Sequence, residues 1–142
     1  MTPRQINLIK SSWQLAAANP QAVGKLFYDR LFEIAPEVKP MFNATSITDQ
    51  AKKLLATISF VISKLDKLDD IIDEVAKLAR RHVNYGVRPG HYTVVGEALL
   101  WTLENGLREQ WNDETKEAWV TCYTVLSGAM ISAAEYTTMD AA

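Results

Sequence analysis

Apolar residues recur every three or four positions along almost the whole chain, and no segment alternates with a period of two, so the pattern predicts helices and no sheet. Thr2-Pro3-Arg4-Gln5 sets a capping hydroxyl, a first-turn proline and a capping-box glutamine ahead of Ile6, Ile9, Trp13 and Ala16, which marks a first helix. Asn19-Pro20 ends it and repeats the start signal. Val23, Leu26, Phe27, Leu31 and Ile34 then carry a second helix up to Ala35-Pro36. Residues 36–46, with two prolines and the polar run NATS, read as an irregular corner. Ile47, Ala51, Leu54, Ile58, Val61 and Leu65 place a third helix before a charged break at Lys64 to Asp70. A fourth helix over 70–82 aligns Ile71, Val75, Leu78 and His82 on one stripe. The loop Tyr85-Gly86-Val87-Arg88 leads to Pro89 and a fifth helix, with Tyr92, Val95, Leu99 and Leu103 inward. Asn112-Asp113-Glu114 opens the last, where Trp119, Tyr123, Leu126 and Met130 recur at helical spacing. The expected class is all-α, with helices of unequal length.

Composition narrows this picture without changing it. At 142 residues with 48% hydrophobic content, the chain suits one domain spanning 1–142. Fifteen basic against seventeen acidic residues leave a net charge of -2, which gives no sequence-wide attraction to nucleic acid or to an anionic membrane. Neither is an expected partner. The start, MTPRQINLIK, does not lead into a long apolar run, and no stretch approaches eighteen uninterrupted apolar residues, so a cytoplasmic location is expected. The single cysteine, Cys122, fits a reducing compartment and a small apolar core position. The patterns GxxxxGK[ST], GxGxxG, GxSxG and HExxH are absent, so nucleotide-binding and hydrolase readings have no support.

Candidate chemistry begins with the two histidines, His82 and His91, both within RRHVNYGVRPGHY. His82 ends an apolar stripe, whereas His91 follows Pro89-Gly90 at a helix start and is expected to be solvated. A histidine on a buried face needs both nitrogens satisfied: one can donate to the carbonyl of Leu78, and the other requires a hydroxyl or a metal, or a carbonyl where the ring is charged. One histidine is too few ligands for structural zinc. It suffices for haem iron, because the porphyrin supplies four equatorial nitrogens.

Gly24 supplies a separate clue, since glycine inside a helical pattern costs about 0.5–1 kcal/mol relative to alanine. A close helix crossing against Ala51 would explain it and would bring Tyr28 and Gln50 together above Leu54. Alternatively, Tyr28 is a core tyrosine tied to a backbone carbonyl and Gln50 is solvated.

Taken in order, these segments resemble the globin family, and more narrowly the bacterial single-domain haemoglobins and the globin domain of flavohaemoglobins. LFYDRLFEIAPEVKPMF, TDQAKKLLATI, RRHVNYGVRPGHYTVVGEALL and AWVTCY carry the resemblance, which covers essentially the whole chain. It implies a three-over-three helical sandwich around haem b (iron protoporphyrin), with His82 as the iron ligand. Tyr28 falls at the distal tyrosine, Gln50 at the distal polar position, Leu54 over the ligand and Phe42 at the phenylalanine that stacks on the haem. Tyr92 matches the proximal tyrosine, and Val87 and Val95 complete the apolar walls. Lys53 and Arg81 lie near the pocket, as propionate partners or as solvated charges.

The resemblance further implies that oxygen, nitric oxide and carbon monoxide are ligands. Donors at Tyr28 and Gln50 would slow oxygen release roughly tenfold to a hundredfold each, from about 1.5–3 kcal/mol per hydrogen bond to a charged partner. High affinity with slow release suits oxygen retention, or reaction with nitric oxide to give nitrate, better than delivery. With no reductase domain within the 142 residues, electrons are expected from an external donor or reductase. Two other classes stand beside this one: a gas or redox sensor in which an internal group such as Tyr28 closes the sixth iron position, and a cofactor-free interaction module. Flavohaemoglobins place a glutamate fifteen residues after the aligned tryptophan, in a triad with the proximal histidine and tyrosine. Here that count from Trp119 reaches Ala134, with Glu135 one residue later and rotated by about 100°. Without that acid, His82 would push less electron density to iron.

Overall fold

The computed structural model describes residues 1–42, 46–84 and 86–141, with side chains described as far as 133. Among the described residues there are six α-helices: α1 (Pro3–Ala16), α2 (Pro20–Ile34), α3 (Ile47–Ser63), α4 (Ile72–Asn84), α5 (Pro89–Leu107) and α6 (Asp113–Ala141). No strand occurs among the described residues.

Local chemistry sets most of the helix starts. Thr2 Oγ1 accepts the Gln5 amide at 3.1 Å while Gln5 Oε1 accepts the Thr2 amide at 2.9 Å, closing the capping box that the sequence predicts. Ser46 caps α3 through the Asp49 amide at 3.1 Å, and Asn112 caps α6 through Thr115 at 2.8 Å.

Two segments differ from expectation. The corner after α2 is a 3-10 helix over Pro36–Phe42, pinned by buried Val38, and Asn43, Ala44 and Thr45 of the NATS run lie outside the described residues. The charged break is likewise a 3-10 helix, Leu65–Ile71, kinked at Lys67, so α4 begins two residues later than expected and ends two later. Buried Leu65 and Ile71 hold its ends in the core while its acidic residues face water. Ile47, placed on the inward stripe by its spacing, is 38% exposed because it opens α3 at the surface.

Helix α2 packs on α3 and α5, while α6 packs on α1, α4 and α5. One end of the core is tied by tryptophans. Trp13 and Trp119 lie 6.0 Å apart, Trp119 Nε1 donates to Ser12 Oγ at 2.8 Å, and Trp13 Nε1 donates to Ser59 Oγ at 2.9 Å. Each large aromatic is thereby buried with its polar atom satisfied. Cys122 is buried in this cluster, as expected, and burial pushes its thiol up to about 11. The other end is less closed: Leu54, Val61, Val75, Leu78, His82, Val87, Tyr92 and Val95, all on α3, α4, α5 or the α4–α5 loop, are only half-buried. Apolar side chains in that state along successive elements mark the walls of a cleft rather than a filled core.

Candidate functional site

The crossing of α2 and α3 shapes one part of the site. A Cβ added at Gly24 would lie 2.7 Å from Ala51 Cβ, closer than two such carbons can approach, so the close backbone approach inferred from the sequence is present. One turn beyond Gly24, Tyr28 is 3% exposed and its hydroxyl hydrogen-bonds with the Gln50 side chain. Burial pushes the Tyr28 phenol up to about 12, and the Gln50 hydrogen bond acts against that rise. An amide N–H given to the phenolic oxygen leaves the Tyr28 hydroxyl hydrogen free for another acceptor. The ring is held edge-on by Phe27 at 5.0 Å and Phe42 at 5.5 Å, and Phe42 also packs on Phe32 at 5.6 Å. These contacts fix both the plane and the height of the hydroxyl.

The C-terminal half of α4 shapes the other part. His82 Nδ1 lies 2.8 Å from the carbonyl oxygen of Leu78, one turn earlier, the partner expected from the sequence. Because a carbonyl only accepts, Nδ1 carries the proton and Nε2 presents its lone pair. Nε2 has no hydrogen-bond partner among the described residues. Burial holds the His82 pKa below its ordinary value, the Leu78 carbonyl opposes that fall, and Arg81 adds to it, so the ring is neutral at pH 7. The Tyr92 ring stacks on the imidazole with centroids 6.2 Å apart and planes 18° from parallel.

A cleft of about 290 Å³ runs between α3 and α4, bounded by Thr57, Phe60 and Val61 on one side and Val75, Leu78 and Arg81 on the other. Arg81 is exposed at its rim. Lys53 is also exposed, and neither it nor Tyr28, Gln50, Leu54 or His82 is among the residues bounding this cleft. Leu54, Val87 and Val95 are half-buried, Leu54 and Val95 against the core cluster.

His91 requires a correction. It is half-buried, and its Nδ1 accepts the Arg88 amide at 2.9 Å, so it caps α5 instead of standing in solvent. Position three of a helix favours that contact, and the sequence carried the signal in the spacing from Arg88 to His91. Tyr85 and the side chains of Ala134 and Glu135 lie outside the described residues. Sequence reasoning also passed over Gly96, where an added Cβ would meet the Tyr123 ring at 2.5 Å.

The donor set suits one kind of metal centre. Among the described residues no three or more His, Cys, Asp or Glu side chains are grouped so as to hold a metal ion. A single neutral imidazole with a free Nε2, on the helix that forms one wall of the cleft, instead matches iron whose equatorial ligands come from a macrocycle. Fold and donor set together therefore define a helical protein whose lone unpartnered imidazole suits haem iron.

Comparison with known proteins places it in a family. The globin family model matches residues 25–130. A bacterial globin from Campylobacter jejuni superposes with a TM-score of 0.85 at 30% identity, covering 96% of this chain and 99% of that one. A flavohemoprotein of Oceanobacillus iheyensis is 32% identical over 127 residues, which is 88% of this chain but 31% of the relative. A neuroglobin of Tetraodon nigroviridis is 27% identical over 143 aligned positions, covering 92% of this chain and 90% of the relative. The chain belongs to the globin family. Membership carries with it a haem cofactor and gaseous ligands such as oxygen. The chain spans about a third of the length of the flavohemoproteins it matches. Among the described residues no helix is long and apolar enough to cross a membrane.

Proposed function

We propose that His82 holds the iron of haem b, that Tyr28 and Gln50 hold a diatomic gas over the distal face, and that the protein retains oxygen tightly and turns it over with nitric oxide. In that turnover one oxygen molecule, one nitric oxide and one electron give one nitrate, the electron coming from a reductase. Haem, when bound, supplies a redox-active iron that takes up the gas. The chain's own residues do the rest. His82, neutral and fixed by Leu78, presents Nε2 to the metal. Tyr28 donates its hydroxyl hydrogen to the gas while Gln50 supports the phenolic oxygen. Phe42, Leu54, Val87 and Val95 keep water away, which strengthens those hydrogen bonds. Tyr92 steadies the imidazole. Arg81, at the rim of the cleft, pairs with a propionate; the same role for Lys53 rests on the family resemblance.

The observation that carries this reading is the hydrogen bond between buried Tyr28 and half-buried Gln50, beside the Gly24–Ala51 crossing. A phenol at 3% exposure whose oxygen takes an amide hydrogen keeps its own hydroxyl hydrogen to give to a ligand. The test is oxygen release from Tyr28→Phe holo-protein. Loss of one hydrogen bond to a partner with negative character should speed release roughly tenfold to a hundredfold. An unchanged rate would remove Tyr28 from the mechanism. Nitric oxide consumption with a supplied reductase then separates turnover from storage: catalytic nitrate formation supports an enzyme, and a single stoichiometric burst supports a store.

A further inference from the structure

Gly96 lies inside α5, where glycine weakens a helix and no turn or positive φ requires it. A neighbouring ring supplies the reason. A Cβ at Gly96 would stand 2.5 Å from Tyr123 Cε1 and 2.9 Å from Cδ1, so the missing side chain is the space into which the α6 tyrosine packs. From there the Tyr123 hydroxyl donates to the backbone carbonyl of Tyr92, one turn earlier on α5. Burial pushes the Tyr123 phenol far above its ordinary value, so the hydroxyl is a donor at neutral pH. Tyr92 in turn stacks on His82 at 6.2 Å.

We propose that Tyr123 is a positioning residue for His82: its hydroxyl fixes the backbone of Tyr92, and the Tyr92 ring fixes the plane of the imidazole. The proposal rests on the reading of His82 as the iron ligand. The reason a second restraint matters is geometric. The hydrogen bond from Nδ1 to Leu78 sets the tautomer and one direction of the ring, but the ring can still rotate about that bond. A stacked neighbour removes that freedom. Tyr92 can serve only if its own backbone is steady, yet Pro89 and Gly90, just before it, are exposed. The bond to Tyr123 ties this end of α5 to α6, which also packs on α4, the helix that carries His82. Glycine at 96 and tyrosine at 123 thus act as one clamp across three helices.

Resonance Raman spectra of the ferrous holo-protein test the clamp through the iron–histidine stretch. In the unmodified protein one narrow band is expected. Tyr123→Phe, which keeps the ring and loses only the hydroxyl, should broaden or split it. Gly96→Ala, which keeps the hydroxyl and displaces the ring, should do the same. The infrared stretch of added carbon monoxide, which reads the Tyr28–Gln50 side, should not move in Tyr123→Phe. An iron–histidine band unaltered by Tyr123→Phe overturns the proposal, as does a parallel change in both spectra, which would mean general loosening. If Gly96→Ala fails to fold, Tyr123→Phe decides alone. Absence of any iron–histidine band in the unmodified protein would overturn the assignment of His82 itself, a different result from an unmoved band.

Discussion

Replacing Gly24 by alanine separates the packing account of the distal pair from a purely local one. By helix propensity alone, Gly24→Ala should stabilise α2 by about 1 kcal/mol. The structure argues the reverse. The new methyl would lie 2.7 Å from Ala51 Cβ, and ordinary contact begins at 3.4 Å, so α2 and α3 must part by about 0.7 Å. Neither atom is the far end of a flexible side chain, so the strain falls on backbone and core. Overpacking of this kind costs about 1–3 kcal/mol, which offsets the propensity gain and leaves the variant up to about 2 kcal/mol less stable. Parting by 0.7 Å also carries a hydrogen bond of ordinary length past the limit at which it counts as one, so Tyr28 and Gln50 would separate. Oxygen release should then quicken roughly tenfold, the equivalent of about 1.4 kcal/mol. Urea unfolding reads the first effect and stopped-flow oxygen displacement the second. The decisive control is Ala51→Gly in the same chain: removing the opposing methyl should restore the release rate and part of the stability, an interaction readable as a double-mutant cycle. A Gly24→Ala protein that is more stable, with unchanged release, would show that the α2–α3 crossing is not tight and does not set the distal pair. So would a double variant no better than the single one.

Other predictions follow from separate features. Arg108 ends α5 at φ 49° and ψ -108°, a conformation strained for a residue with a side chain. Arg108→Gly should therefore raise the unfolding free energy by about 0.5–1 kcal/mol, seen as a higher urea midpoint, and a lower midpoint would show that the arginine makes a compensating contact. The Tyr28 phenol, pushed up to about 12, should remain a donor well beyond the ordinary tyrosine range. Because its folded pKa is raised, its contribution is complete below about pH 10 and is lost as the pH rises through about 12. Oxygen release should be flat between about pH 7 and 10; acceleration within that range would mean that Tyr28 ionises as an exposed phenol does.

How much of this was legible in the sequence depended on whether the signal was local. The Thr2 capping box, the Pro20 and Pro89 starts and the Asn112 cap are written in three or four consecutive residues, and each forms as expected. Gly24 was legible because a helix-interior glycine is costly enough to demand a partner, and Ala51 was the small residue available. Gly96 carried the same signal and was missed, because its partner is an aromatic ring from α6 and not another small side chain. The 3-10 helices over Pro36–Phe42 and Leu65–Ile71 could not be read either. A short i to i+3 run gains little by itself, and here it depends on Val38, Leu65 and Ile71 reaching the core. His91 was assigned to solvent from its place at a helix start, although the same place makes it a cap. Half-burial of the stripe on α4 had no sequence signature, since hydrophobic spacing reports which face turns inward but not whether a cleft or a filled core awaits it.

Titration of the protein with haem decides whether His82 supplies the iron ligand. An intense Soret band with an iron–histidine stretch in the ferrous form is expected, and His91→Ala should retain both. His82→Ala should lose that histidine bond, and added imidazole should restore it. Equal haem binding with an unchanged iron–histidine band in His82→Ala, or no Soret band in the unmodified protein, would exclude His82 as the ligand.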